Sequence, residues 1–514
     1  MLIFRFARRL GGLWWLTLCL GTLASGPGDA DEKVQIPRTW DDSAMAKLEI
    51  PLAYPGGSPK HVSSDYYYRI PVRTIYKQYP VYAPGHEPKG YWEWLNSQDP
   101  VVVWNDSGSR PPLRNQADWI QAGKISFESP NIVAIDGAVS VREVRNQEWY
   151  KQGGIPVAKS GVVPFLSYVI REKGKVELGL FACAMCHSRV MPDGTVLKGA
   201  QGNFPLERAE AFRSTHEVPP EVGRMVMRLL YAVPWIKPDP LEQQLAMPPD
   251  QLYRVQHAMP PGVMSRHRAS PIYPVQVPDI IGVKDRIYLD RTGLQPQRSV
   301  VDLMRYAALN QGGDFLADFD GFIPLGGPEF NKLPDPENPL VGGRYSDEQL
   351  YALAQYVYSL TPPTNPNKMD ELSIRGQKIF EHEGCNQCHT PPLYTSNRLT
   401  PAEGFTPPTD AALKYRLSPR SLGTDPGLAT RTRRGTGYYK VPSLKGVWYR
   451  SMFGHSGWCA TLEDWFDPRR TREDYIPTGF KPNGDAPYAV KGHPFGLDLE
   501  EDERKALIAF LRTL

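Results

Sequence analysis

Cysteine, histidine and net charge are all scarce in this sequence of 514 residues, which has six cysteines, ten histidines and a formal charge of +3. So few cysteines in so long a chain exclude a disulfide-stapled scaffold. The near balance of 59 basic and 56 acidic residues leaves no footprint for nucleic acid and none for strong membrane-surface binding. Beyond the first two dozen residues there is no long apolar run, which argues against further membrane spans. Tryptophan is missing from the whole stretch between Trp235 and Trp448. Proline is in excess, at 51 residues, against a usual share of about 5%, so long irregular connections are expected.

Four of the six cysteines stand in two copies of one pattern, Cys183-Ala184-Met185-Cys186-His187 and Cys385-Asn386-Gln387-Cys388-His389. A Cys-x-x-Cys-His run is the attachment site of c-type haem. The two thiols add to the two haem vinyl groups, and the adjoining histidine supplies the proximal iron ligand. The competing reading is zinc, but a structural zinc site brings two ligand pairs together across a short loop. These pairs lie far apart, and each carries its own histidine. No βαβ pattern surrounds either run, so a thioredoxin-type dithiol does not fit. Two covalent c-type haems, with iron on His187 and His389, are the expected cofactors. Of the other cysteines, Cys19 lies in the leading apolar segment, and Cys459 reads as a small buried thiol.

Arg5, Arg8 and Arg9 precede an apolar run over residues 10–23 and the small residues Ala24-Ser25-Gly26, the order of an export signal at residues 1–26. An uncleaved anchor is the alternative, since the run is near the short limit for a span. Loss of residues 1–26 would remove three arginines and no acids, taking the formal charge from +3 to 0. The periplasm or the cell exterior is the expected location, because haem is attached to c-type proteins outside the cytoplasm. Residues 27–114 are rich in proline and tyrosine, as in Asp65-Tyr66-Tyr67-Tyr68 and Tyr91-Trp92-Glu93-Trp94. They read as an extended arm of short strands and turns that wraps the later domains. A polymer site lined by those aromatics is the rival.

From Gln116 onward, Trp119, Ile120, Gly123 and Phe127 share a helical face. Gly376 and Phe380 repeat that glycine-then-phenylalanine spacing just ahead of the second haem motif. A cytochrome c domain opens in this way, its glycine permitting a close crossing with the domain's last helix. Two closing helices are also legible. Ser346 and Gln349 form a capping box ahead of Leu350, Leu353, Ala354 and Val357, and Leu507, Phe510, Leu511 and Leu514 form an apolar stripe. The expected fold is mainly α, with cytochrome c-type domains at 115–363 and 364–514, long irregular insertions and the proline/tyrosine-rich arm. One insertion, with the turn-rich Gly153-Gly154-Ile155-Pro156, separates the first helix from Cys183. Another follows the first motif and holds His257, Met259, Met264, His267 and a helix from Val300 behind Ser299. A pocket over the first haem would be built from that second insertion.

Both motifs, the run Lys440-Val441-Pro442-Ser443-Leu444-Lys445-Gly446-Val447-Trp448, the turn His455-Ser456-Gly457 and Thr461-Leu462-Glu463 give the chain a family likeness. It resembles the bacterial di-haem cytochrome c peroxidase superfamily, which also holds the tryptophan-tryptophylquinone maturation enzyme and the haem rubber oxygenases. Gly454, between Phe453 and His455, departs from the family's turn. The resemblance is strong over 370–514, weaker over 115–363 and absent before that. It implies that the first haem, on His187, meets peroxide or oxygen while the second, on His389, transfers electrons. The implied partners are small redox proteins or respiratory electron carriers.

The peroxidases ligate the second iron with a methionine beyond the histidine turn, but that region here, Asp467-Pro468-Arg469-Arg470, offers none. Met452, His455 and His493 are the soft or imidazole donors after His389. His455 is the expected distal ligand of the second haem, as in the rubber oxygenases; Met452 is the alternative and Tyr475 a third. At the first haem the family's distal-histidine position is Asn203. That leaves Met191, His216, His257 and His267 as candidates, or an open iron. Tyr288, Trp235 or Trp448 would have to replace the family's inter-haem tryptophan. Glu210, Glu217, Asp285 and Asp314 lie in the right segment for proton transfer, and nothing singles one out. The expectation is an exported di-haem oxidoreductase that reacts with peroxide or oxygen. A pure electron carrier, with both irons six-coordinate, is the rival.

Overall fold

Two helix pairs, each crossing at a glycine, position everything else. The computed structural model describes residues 34–134, 138–212, 220–265, 269–326, 331–339, 341–419, 421–482 and 484–514. The expected export signal with Cys19, and also His216, Glu217 and His267, lie outside the described residues. Residues 36–514 form one unit, to which all the following elements belong.

In chain order the elements that matter begin with β1 (Gln78–Tyr82), α1 (Gln116–Glu128), β2 (Ile132–Ala134), β3 (Val162–Glu172) and β4 (Lys175–Leu180). Then come α2 (Val300–Asn310), α3 (Asp347–Ser359), α4 (Glu371–His382), β5 (Leu399–Pro401), β6 (Tyr438–Lys440) and α5 (Glu501–Arg512). Helix α1 starts where the Asn115 side chain accepts from the Asp118 N–H, and α3 starts at the Ser346/Gln349 capping box. The two helices meet so closely that a Cβ on Gly123 would stand 1.9 Å from the Ala352 carbonyl oxygen. The α4–α5 pair repeats this contact, with Gly376 at the same 1.9 Å from the Ala506 carbonyl oxygen. Only glycine lets backbones approach to that distance.

The first pair is the centre of a large core that recruits the arm. Trp119, Phe127, Leu350 and Leu353 pack in one cluster with Trp40, Leu48, Tyr67 and Trp104. Trp40 is fully buried, stacks on Tyr67 at 4.2 Å and donates its indole N–H to the Val62 carbonyl at 2.9 Å. The arm's aromatic runs differ from the extended reading, because both are short helices, Ser64–Arg69 and Tyr91–Ser97. Ser63 caps the first by accepting from the Tyr66 N–H at 3.2 Å. The turn then buries Tyr67 and sends Tyr68 to the Asp347 carboxylate at 3.1 Å.

The insertion ahead of Cys183 is regular, unlike its sequence reading. β3 and β4 form a hairpin around Gly174; β1 from the arm pairs with β3 and β2 with β4, giving the order β1-β3-β4-β2. Val163, Phe165, Tyr168 and Leu178 pack against Trp149, Tyr150 and Phe204. Leu166 and Val169 are buried as well. β3 therefore lacks the simple alternation that marks a half-exposed strand. The fold is thus helical with several small sheets.

Around α4 and α5, the run that follows Lys440 is fastened between the loop after His389 and the chain's last residue. Thr395 Oγ1 donates to the Val441 carbonyl at 2.7 Å, Ser443 Oγ to the Leu393 carbonyl at 2.6 Å, and the Gly446 N–H to the Leu514 carbonyl at 2.8 Å. Among the described residues, no helix is long and apolar enough to cross a membrane.

Candidate haem-binding cavities

Each Cys-x-x-Cys-His run folds as one helical turn at the mouth of its own cavity. The His187 N–H bonds to the Cys183 carbonyl at 2.9 Å, and the His389 N–H to the Cys385 carbonyl at 2.8 Å. Both thiols and the histidine of each run line the cavity beside it, of about 200 Å³ for the first and about 350 Å³ for the second. None of the described cysteines is in a disulfide. His187 Nδ1 lies 3.1 Å from the Pro278 carbonyl oxygen, and His389 Nδ1 lies 3.1 Å from the Tyr394 carbonyl oxygen. A carbonyl can only accept, so Nδ1 carries the proton and Nε2 is the nitrogen able to bind a metal. Burial holds His389 below the usual histidine range, which keeps it in the neutral form that ligation needs.

Across the second cavity from His389 stands His493. Their ring centres are 6.4 Å apart, with the planes at 53°. Two imidazoles on opposite sides of one metal, each bound at about 2.0–2.1 Å, have ring centres separated by roughly this distance. His493 is wedged between Trp465 at 5.4 Å and Phe495 at 5.5 Å. Its backbone sits in the left-handed region at φ 49°, a conformation that side-chain-bearing residues adopt at a cost. Its Nδ1 is buried without a hydrogen-bond partner. Burial, with His389 and Arg470 adding to it, pushes its pKa down to about 3. Arg470, fully buried, holds the loop in place by donating to the carbonyls of Trp465 at 2.8 Å, Val490 at 2.5 Å, Gly492 at 3.0 Å and His493 at 2.8 Å.

His455, the expected distal ligand, also lines this cavity, but its ring is engaged elsewhere. It stacks on Tyr439 at 4.1 Å, with Nε2 3.0 Å from the Tyr439 hydroxyl oxygen, and Trp458 stands edge-on to it at 4.4 Å. Met452 packs with Met259, Val263 and Trp458, and neither it nor Tyr475 lines the cavity. His493 was one of three donors after His389. Its setting in the turn Gly492-His493-Pro494 was the only local sign of a special backbone.

The first cavity is different. Among the described residues no second histidine lines it. His257 is exposed and stacks on Tyr253; Met191 packs beside Tyr449; Asn203 is bonded to the Val190 backbone on both of its amide atoms, at 2.9 Å each. Met264 does line it, with Sδ 3.8 Å from the Cys186 sulfur. One stripe of α2 supplies Leu303, Tyr306, Ala307 and Asn310, and Gln311 follows at the helix's C-cap. The Tyr306 hydroxyl donates to Asp290 at 2.8 Å, and Gln311 Nε2 lies 3.3 Å from the Cys183 sulfur. Of the carboxylates read from the sequence, Asp285 is exposed and Glu210 lies outside the cavity lining. Asp314 is buried as an ion pair with Arg434, which also binds the arm's Glu49 at 2.6 Å. Burial alone would raise the Glu49 pKa, but Arg434 and His61 outweigh it. None of Trp235, Trp448 and Tyr288 lines either cavity.

Between the cavities lies a set of sparsely neutralised cations. Arg291 and Lys440 line both. Arg291 donates to the Gln276 carbonyl at 3.1 Å, and Lys440 to the Tyr288 carbonyl at 3.3 Å. Neither is in a salt bridge among the described residues. Arg286 also lines the first cavity, and Arg450, paired with Asp279 at 3.0 Å, lines the second. Burial and the neighbouring Arg450 and Arg286 pull Arg291 down to about 9, and burial with Arg286 and Arg291 pulls Lys440 far below its usual range. Half-buried cations that outnumber the anions beside them are costly. Haem carries two carboxylates, so these residues fit it in charge as the thiols and histidines fit it in donor chemistry.

No protein family matches this chain, and no curated protein does. Several solved structures resemble it at low similarity. The hydrazine synthase of Kuenenia stuttgartiensis is 15% identical over 51% of this chain and 79% of its own, with a TM-score of 0.29. The di-haem peroxidase of Burkholderia thailandensis is 19% identical over 64% of this chain and 92% of its own, with a TM-score of 0.26. A MauG-like protein associated with microbial copper homeostasis is 19% identical over 33% of this chain and 56% of its own, with a TM-score of 0.22.

Proposed function

We propose that this chain is a di-haem c-type redox protein with an electron-transfer haem on His389 and a haem open to a small oxidant, peroxide or oxygen, on His187. The observation that carries this reading is the unequal histidine count of two cavities built on the same motif: two facing imidazoles in the second, one in the first among the described residues. A covalent haem supplies one-electron chemistry and, where an axial position is open, activation of a bound oxidant.

The protein's own residues do the rest. The thiols of Cys183 and Cys186, and of Cys385 and Cys388, would each form a thioether. The Pro278 and Tyr394 carbonyls orient the two proximal imidazoles. His493, with His389, would hold the iron at the second site in preference to His455, whose nitrogen is engaged by Tyr439. In the first cavity Tyr306 and Asp290 place a hydroxyl and a carboxylate where a proton can be held. The exposed Gln387 puts the second attachment turn at the surface, in reach of a small redox protein or respiratory carrier. An exported location, in the periplasm or beyond, goes with covalent haem.

Electron paramagnetic resonance of the fully oxidised holoprotein, with haem counted as the pyridine haemochrome, tests this. The expected result is two haems per chain, one low-spin and one high-spin. Two low-spin signals would favour the pure carrier, and absence of covalent haem would overturn both.

A further inference from the structure

Lys440 and Arg291 are the two cationic side chains that both cavities share. Lys440 ends strand β6, where the Val441 N–H is bonded to the Arg398 carbonyl at 2.8 Å and the chain is paired with β5. Arg291 follows Asp290, whose backbone is in the left-handed region at φ 70°, and lines both sites. What the two side chains touch is backbone carbonyl, which bears only a partial charge, while Arg286 repels both of them and Arg450 repels Arg291. Asp279 is paired with Arg450 and bonded to the Tyr449 hydroxyl, and Asp290, which also accepts from the Tyr306 hydroxyl, is the one carboxylate that acts on both Arg291 and Lys440. The site therefore calls for additional carboxylates, and it calls for them from both sides.

We propose that Lys440 and Arg291 form one carboxylate site, shared between the cavities, that takes a haem propionate from each side. This rests on the reading that both cavities hold haem. Its consequence is electrostatic: reduction adds an electron, a nearby cation favours the reduced form, and a cation beside both haems raises both potentials at once. Other cations lie nearer to one cavity than to the other. Arg398, for example, lines the second cavity and not the first.

The test is a potentiometric titration of the full-length holoprotein, following both haems by absorbance, for the wild type, Lys440→Met and Arg398→Met. Lys440→Met is expected to lower both midpoint potentials, and Arg398→Met only that of the second haem. A Lys440→Met protein in which one potential or neither moves overturns the shared site. Should Lys440→Met impair haem uptake, loss of both haems together, restored by Lys440→Arg, supports the proposal, whereas loss of one alone overturns it. Failure of the underlying reading is separately visible, because the wild-type protein would then lack two covalent haems.

Discussion

The two Cys-x-x-Cys-His turns share a pentapeptide pattern and differ in what surrounds them. In the first, Met185 and Cys186 are buried in the cluster that holds the four-stranded sheet, and Ala184 in the core around α1 and α3. In the second, Cys385, Asn386 and Cys388 are half-buried and Gln387 is exposed. The first site has one imidazole among its described lining residues, together with tyrosine, carboxylate and amide groups. The second has two imidazoles face to face. One pentapeptide pattern is thus given two different facing surfaces by the fold around it.

The most drastic way to break this comparison is to delete one turn's thiols. Cys385→Ala combined with Cys388→Ala is expected to halve the pyridine haemochrome, leaving the first haem's spectrum in place. The matching change at Cys183 and Cys186 should halve it too, with greater loss of folded protein because Cys186 is part of the buried core. Next in size is the exchange of axial partner. His493→Ala should turn the low-spin signal high-spin, and added imidazole should restore it, while His455→Ala should leave it low-spin. The opposite pattern would return the distal role to His455.

How much of this could be read from the chain depends on how local the determinant is. The haem motifs are legible because one helical turn sets the thiol and histidine spacing, and Gly123 and Gly376 are legible because a helical period places them on a buried face. The β3–β4 hairpin is not, since Leu166 and Val169 are buried alongside Val163 and Phe165 and the alternation vanishes. His493 is illegible for another reason. It reaches the cavity through an irregular loop held by Arg470, some twenty residues away in sequence, and no periodicity encodes such a contact.

Arg470 therefore sharpens the comparison in a graded way. Arg470→Met would leave the carbonyls of Trp465, Val490, Gly492 and His493 short of their donor, at a cost of about 3 kcal/mol by thermal unfolding. A loosened His493 should also give a mixture of low- and high-spin signals at the second haem, with the first unchanged. A purely structural role for Arg470 would lower the melting temperature and leave the spin state alone.

The smallest expected effect compares the two helix crossings directly. A Cβ at Gly123 or at Gly376 would meet a backbone carbonyl at the same 1.9 Å, so neither clash can be relieved by turning a side chain, and the helices must part. Each alanine should cost about 2 kcal/mol. The two crossings differ in what parting them disturbs. Helices α1 and α3 lie in a core that includes Trp40, Tyr67 and Trp104 from the arm, whereas α4 and α5 pack within a much smaller cluster around Phe380 and Phe510. Gly123→Ala should therefore destabilise the protein more than Gly376→Ala, because a shift of α3 is resisted by the arm as well as by α1. Equal losses, or the reverse order, would mean that the arm covers the first unit without bracing it.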